Sequence, residues 1–275
     1  MFKVTIIADS IHQGKRITTM QLTYPRYIHA EFMTHRVFSR NASSSRAIPV
    51  ERLIQASMGD MVLPIRWGKN QAGMQAAMED LTQDDEVEAE QIWVETAIVC
   101  AEAARNLAAL GLHKQWANRM LEWFGNITVV VTATEWDNFY ELRNHPDAQP
   151  EIHHLAQLMH DAHEASEPHE LKHGQWHLPY ITDEDRFELA VPELIQISVA
   201  RCARTSYFTH DGKVPSRQAD IELYERLVGS VPLHASPAEH QATPANEEDA
   251  DDAAYTGNFR GWVQFRKLLE KTGDM

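Results

Sequence analysis

Between residues 126 and 134 the chain reads Asn-Ile-Thr-Val-Val-Val-Thr-Ala-Thr, a density of β-branched side chains that specifies a strand. Just upstream the period changes. From about Glu86 to Leu110, Ile92, Val99, Ala103 and Leu110 recur near one helical face, and Gly111 is placed as a C-terminal stop. A strand of that kind beside a helix of that length predicts an α+β fold, a twisted sheet flanked by long helices.

The remaining pattern fills in around these two elements. The opening MFKVTIIADS reads as a first strand and not as a secretory signal. Lys15–Tyr24 alternates weakly and is rich in Ile and Thr. Pro25 suits the first turn of a helix in which Ile28–Phe32 and Met33–Val37 are four apart, and a polar loop, SRNASSSRAIP, follows. A short helix is expected over HKQWANRML, and Thr134 with Asp137 has the spacing of a capping pair before WDNFYELR. Pro150 opens a helix through Ile152, Leu155, Met159 and Ala162; residues 166–191 look irregular; further helices are expected over Pro192–Arg204 and Ser216–Gly229. Residues 242–257 read as a mobile acidic loop, and NFRGWVQFRKLL after it has the aromatic content to dock.

Composition removes several classes of function. No apolar run is long enough to span a bilayer, so no membrane role is expected. A formal charge of −15 argues against a broad basic face for nucleic acid, although a few arginines can still converge on one phosphate. Two distant cysteines, Cys100 and Cys202, form no disulfide framework and suit a reducing cytoplasm. Cys100 lies among Ile98, Val99 and Ala101 and reads as core, and neither thiol has a nucleophile's setting. No glycine-rich dinucleotide loop or P-loop occurs. His160, His163 and Glu164 share a helix face without a zinc spacing, so a solvated face is expected there and no metal.

The richest segment chemically runs from His35 to Arg46. Arg36, Arg40, Arg46, Asn41 and the hydroxyls of Ser39, Ser43, Ser44 and Ser45 fall within twelve residues. Guanidinium forks match phosphate oxygens, and hydroxyls add donors. Composition alone fits a solvated polar loop equally well. Arg119, in HKQWANRML, reads by itself as a surface helix residue, and Arg143, in Asn138-Phe-Tyr-Glu-Leu-Arg143, as a cation at a helix C-terminus.

Taken together these segments resemble the flavin-dependent thymidylate synthases. Arg36, seven residues and then Ser44, with Asn41 and Arg46, is similar to that family's Arg-His-Arg, seven residues, Ser signature. Asn138 to Arg143 followed by Asp147-Ala-Gln149-Pro-Glu-Ile152 resembles its Asn-Phe-Leu-x-Leu-Arg and His-Ala-Gln-x-Glu-Ile. Arg119 resembles its phosphate-binding helix arginine. Ala203-Arg204-Thr205-Ser206-Tyr207 and His234-Ala-Ser236-Pro-Ala-Glu239-His240 resemble Ala-Arg-Val-Ser-Phe and His-x-Thr-Pro-x-Glu-His, which the family carries near its N-terminus. Here they lie near the C-terminus, as a circular permutation would place them.

The resemblance implies one catalytic domain over residues 1–275, with a mainly antiparallel sheet in permuted connectivity. Residues 1–165 would be the lobe with the nucleotide motif and catalytic arginine, and 192–275 the flavin-binding lobe. It implies FAD, with NADPH and methylenetetrahydrofolate as co-substrates, a pyrimidine deoxynucleotide monophosphate as substrate, and a homotetramer with sites between subunits. Arg143 would stabilise the pyrimidine ring anion, so that no enzyme thiolate is needed. Arg46 and Arg119 would hold the 5′-phosphate with Ser43, Ser44 and Ser45. His35, Arg36, Asn41, Asn138, Ser206, His234 and Ser236 would line the flavin, and the permutation requires the two motif segments to meet, with His35 and Ser236 bordering one pocket.

Four departures stand out. Thr34 replaces the family's first motif arginine, Ala42 its acidic residue, Asp147 its histidine, and Thr132-Ala-Thr134 its Asn-Ala-Arg. Arg266, in Trp262-Val-Gln-Phe-Arg266, is a candidate substitute for the missing cation. These departures leave two alternatives open: C5 hydroxymethylation or another modification of dUMP or dCMP, and a nucleotide-binding or structural homologue without catalysis.

Overall fold

The computed structural model describes residues 1–76, 78–206 and 215–272. Strands β1 (Lys3–His12) and β2 (Lys15–Pro25) form a hairpin closed by Gln13 and Gly14, both at positive φ (46° and 75°). Glycine adopts that conformation freely, and the turn's backbone matches the twist of the paired strands. Helix α1 (His29–Met33) leads to β3 (Ser39–Ala42), within the stretch expected to be a loop. Helices α2 (Val50–Gly59), α3 (Gln83–Ala109) and α4 (Lys114–Ala117) precede β4 (Asn126–Ala133), which is the strand its β-branched run predicts. The short α4 continues as a 3-10 turn over Asn118–Leu121.

After β4 come α5 (Asp137–Arg143) and α6 (Pro150–Glu164), then a two-residue β5 (His169–Glu170) and α7 (Asp183–Glu188) in the otherwise irregular stretch. The paired helices α8 (Val191–Ala203) and α9 (Arg217–Val228) follow. Residues 242–257 carry β6 (Ala242–Pro244) and α10 (Ala253–Thr256), so regular structure occupies both ends of a stretch read as a loop. Strand β7 (Trp262–Gln264) pairs with β6, and α11 (Phe265–Thr272) ends the described chain.

The main sheet has the order β3-β4-β2-β1-β5, antiparallel except for the short β1–β5 pair. The fold is therefore α+β around a mainly antiparallel sheet. Alternation gives its two faces different characters. Met20, Leu22 and Tyr24 on β2 and Ile127, Val129, Val131 and Ala133 on β4 point to one face, where Ile28, Phe32, Phe38, Phe139 and the α6 residues Ile152, Leu155 and Met159 close the core. The opposite face carries Thr19, Thr132 and Ser39, all buried, and the C-terminal segments cover it. Buried hydroxyls need partners, and Thr19 and Thr132 bond each other at 2.7 Å.

Three local expectations change. Thr134 does not cap α5; its hydroxyl accepts the Arg260 backbone N–H at 3.0 Å instead, because the C-terminal segment docks there. Cys100 is half-buried, since α3 turns Ala97 inward and packs Ala101 and Ala104 against Ile54 and Leu121. The same rotation leaves Ile92, Val99 and Leu110 58%, 64% and 84% exposed. No helix among the described residues is long and apolar enough to cross a membrane.

Candidate active site

At the N-terminal end of β3 the short helix α1 stops, leaving carbonyls that need donors. Arg40 supplies them, donating from one terminal nitrogen to the carbonyls of Phe32, Met33 and His35 at 3.3, 3.1 and 3.1 Å. This ties the turn and sets His35 between Phe38 and Phe139, with ring centroids 5.8 and 4.9 Å away. Arg143, at the end of α5, donates its Nε–H to His35 Nε2 at 3.1 Å and reaches Thr34 Oγ1 at 3.4 Å. The His35 proton therefore resides on Nδ1. Burial, then the positive charges of Arg143 and Arg40, lower the pKa of His35 to about 4. His35 is neutral and orients Arg143. Thr34 gives that guanidinium an acceptor where an arginine would have set a second cation beside it.

The other end of β3 holds a second cluster. Ser43 extends the ladder, its N–H donating to the Thr128 carbonyl at 2.7 Å and its Oγ accepting the Thr128 N–H at 3.0 Å. Ser45 donates to Glu122 at 2.6 Å, and Arg119 donates to both Glu122 oxygens at 2.8 and 2.9 Å. Arg26, at the end of β2, lies 3.8 Å from the same carboxylate. Asn118 fixes the turn by donating to the carbonyls of Ser45 and Ile48. Donors assigned to a phosphate thus converge on one anion, but that anion is Glu122. Ser44 is half-buried and Arg46 is exposed. Arg26 was missed in the sequence because it stands alone; its place directly after the strand-ending Pro25 was the only signal.

Four residues of strand separate the clusters, roughly 13 Å at about 3.3 Å per residue. Within one chain Arg143 and Arg119 therefore sit at opposite ends of β3.

The C-terminal segment meets the first cluster. Strand β3 packs against the 3-10 turn Ser236–Glu239. Ser39 donates to Asn258 at 3.2 Å, Gln264 donates to Ser39 and to the Glu239 carbonyl at 3.2 Å each, and Arg266 pairs with Glu239. A cleft of about 490 Å³ opens there, lined by Arg36, Arg40, Glu239, Asn258, Arg266 and Lys267 among others. The two motif segments thus meet as the permutation requires, through Arg36, Arg40 and Glu239. His35 and Ser236 do not border the cleft: His35 is packed beneath Arg143, while Ser236 and His234 are exposed on the turn.

Asn41 keeps a buried Nδ2 with no partner among the described residues, and Asn138 is exposed on α5. The side chain of Ser206, like Tyr207, lies outside the described residues. Four cations against one carboxylate in the cleft's lining fit an anionic, diphosphate-bearing cofactor.

Other candidates recede. Burial pushes the Cys202 thiol well above its ordinary range, which disables it as a nucleophile. His163 is not on a solvated face: its ring nitrogens bond Thr18 at 3.1 Å and Tyr140 at 3.3 Å. No group of three metal-ligating side chains occurs among the described residues.

Residues 16–169, more than half of the chain, match the family described as thymidylate synthase complementing protein, and the chain belongs to that family. The matched range holds both clusters and Arg143 but not the C-terminal turn. Among solved structures, the UMP/dUMP methylase PolB from Streptomyces cacaoi bound with 5-Br dUMP is 16% identical, with a TM-score of 0.49, over 59% of this chain and 89% of that one. The same methylase bound with 5-Br UMP gives 15%, 0.46, 59% and 88%. No curated relative matches the chain.

Proposed function

We propose that the chain is a flavin-dependent thymidylate synthase that methylates C5 of dUMP, using FAD, methylenetetrahydrofolate and NADPH. The observation that carries this reading is the pair formed by neutral His35 and Arg143, 3.1 Å apart, beside a cationic cleft that joins both motif segments. His35 holds the guanidinium by its Nε–H and Thr34 holds one terminal nitrogen, which leaves the other terminal nitrogen to face a substrate. There Arg143 stabilises negative charge that develops on the pyrimidine ring, the role in which a preorganised cation accelerates most. Reduced FAD, when bound, supplies the hydride.

Arg36, Arg266, Asn258 and the unpaired Asn41 amide hold the cofactor's anionic part, with Asn138, Ser206, His234 and Ser236 at its margin. Ser44, Ser45, Arg46 and Arg119 take the 5′-phosphate, which competes with Glu122 for Ser45 and Arg119. Because the two clusters lie at opposite ends of β3, one complete site draws on two chains. A homotetramer supplies them, and the exposed stripe of Ile92, Val99 and Leu110 on α3 is an apolar face suited to such contacts.

The test is direct. The purified protein should be yellow or take up FAD, and with dUMP, methylenetetrahydrofolate and NADPH it should give dTMP by mass spectrometry. A colourless protein that binds no FAD by calorimetry overturns the reading, and a hydroxymethylated product reassigns the reaction.

A further inference from the structure

Five buried side chains form an unbroken line across the polar face of the sheet. Ser10 Oγ lies 2.9 Å from His177 Nδ1; His177 Nε2 lies 2.8 Å from Thr19 Oγ1; Thr19 Oγ1 lies 2.7 Å from Thr132 Oγ1; and Thr132 Oγ1 lies 2.8 Å from His240 Nδ1. All five are buried, at 6%, 1%, 0%, 0% and 0% exposure in that order. The ends differ. Ser10 lines an open cleft of about 580 Å³ between β1 and residues 169–194, with Trp176, Leu178 and Arg186 among its walls. His240 Nε2 is buried, with no partner among the described residues.

We propose that Ser10, His177, Thr19, Thr132 and His240 form a single-polarity proton relay that ties the tautomer of His240 to the cleft beside β1. Each hydroxyl has one proton, and each neutral imidazole has one N–H. A buried threonine hydroxyl that accepted from both neighbours would leave its own proton without an acceptor, so it donates to one and accepts from the other. An imidazole bonded through both nitrogens does the same, so the direction chosen at one link fixes every other. Only two arrangements satisfy all four bonds without leaving a threonine hydroxyl proton buried and unaccepted. In one, both rings carry their proton on Nδ1: His240 donates to Thr132, Thr132 to Thr19, Thr19 to His177, and His177 to Ser10. In the other every bond is reversed and both rings carry it on Nε2.

The first arrangement is the resting one. It leaves the Ser10 hydroxyl proton to the open cleft, where water accepts it, and presents a bare lone pair at His240 Nε2. The reverse would leave a buried N–H without a partner at His240, the costlier defect. An acidic N–H or O–H of a ligand facing Nε2 switches the chain. Nε2 gains that proton, each member passes its own proton one place along, and Ser10 releases one to cleft water. One proton enters and one leaves, and no bond other than those to hydrogen changes. The relay stands on its four bonds alone. Only the service of His240 to the cofactor-side turn rests on the proposed function.

The experiment is nitrogen NMR of full-length, ¹⁵N-histidine-labelled protein at neutral pH without ligand, reading the tautomer of His177 and His240. Both rings should be protonated on Nδ1. Ser10→Val, whose methyls keep water from His177 Nδ1, should move both rings toward Nε2–H in equal proportion. Rings of opposite tautomer in the unmodified protein overturn the relay, because one polarity cannot hold them. Rings that shift independently in Ser10→Val, or do not shift at all, overturn it too. These readouts do not depend on flavin or turnover, so a colourless protein would refute the activity and leave this result standing.

Discussion

Lowering the pH from about 7 to about 5 should remove about 6 kcal/mol of folding stability through three buried histidines alone. His35, His177 and His240 are 8%, 1% and 0% exposed, and burial lowers their pKa values to about 4, about 3 and about 3. In the unfolded chain each would titrate near the ordinary value of about 6.5. As pH falls through that value the unfolded chain binds protons that the folded chain refuses. The stability these rings confer is therefore complete above about pH 6.5 and is lost as pH falls toward their folded values. Between about pH 7 and about pH 5 each contributes a loss of about 1.9 kcal/mol. The carboxylates do not confuse this window. Asp9 and Asp185 are held low by Arg16 and Arg201, among other groups, so their contribution persists until the pH falls below the ordinary carboxylate range. A loss of about 6 kcal/mol rivals the whole stability of many domains, roughly 5–15 kcal/mol. Urea unfolding at the two pH values, followed by far-ultraviolet circular dichroism, measures it. A loss under about 1 kcal/mol would mean that these rings accept protons in the folded state, refuting their burial as neutral groups.

Two further outcomes follow from the charge geometry. Asp220, fully buried, bonds Arg201 at 3.1 Å and Arg204 at 2.7 Å, so Asp220→Ala leaves two largely buried guanidinium groups short of a partner and should destabilise by about 3–5 kcal/mol in urea titrations. Arg105→Ala, which breaks the exposed pair with Glu51, should leave the midpoint unchanged. In steady-state assays with saturating nucleotide, Arg143→Ala should retain flavin binding and lose about 100-fold or more in kcat. Arg119→Ala should raise KM at nearly constant kcat, and Glu122→Gln should lower KM by freeing Ser45 and Arg119. Normal turnover in Arg143→Ala would remove that residue from the chemistry.

What the sequence determined by itself was whatever depends on neighbours along the chain. The β-branched run at 126–133 became a central strand, and the long period from Glu86 became α3, because side-chain crowding and helical period are local properties. The residues from His35 to Arg46 and Arg143 were legible as one family's motifs in the same way. Tertiary structure decided what those residues touch. Nothing in the sequence around Arg119 says that Ser45 will share its Glu122 partner, since Ser45 lies on a turn far away in the chain. Nor does the apolar stripe of α3 announce that Ala97, Ala101 and Ala104 pack inward while Ile92 and Val99 face out; two competing faces differ only in what meets them. Thr134 followed a capping spacing and was taken by Arg260, because a hydroxyl bonds whichever donor the folded chain brings to it. The line from Ser10 to His240 joins four separate stretches of sequence, each unremarkable alone. Its hydrogen bonds exist only once the sheet is assembled and its polar face is covered, because only burial removes the water that would otherwise satisfy each hydroxyl and ring separately.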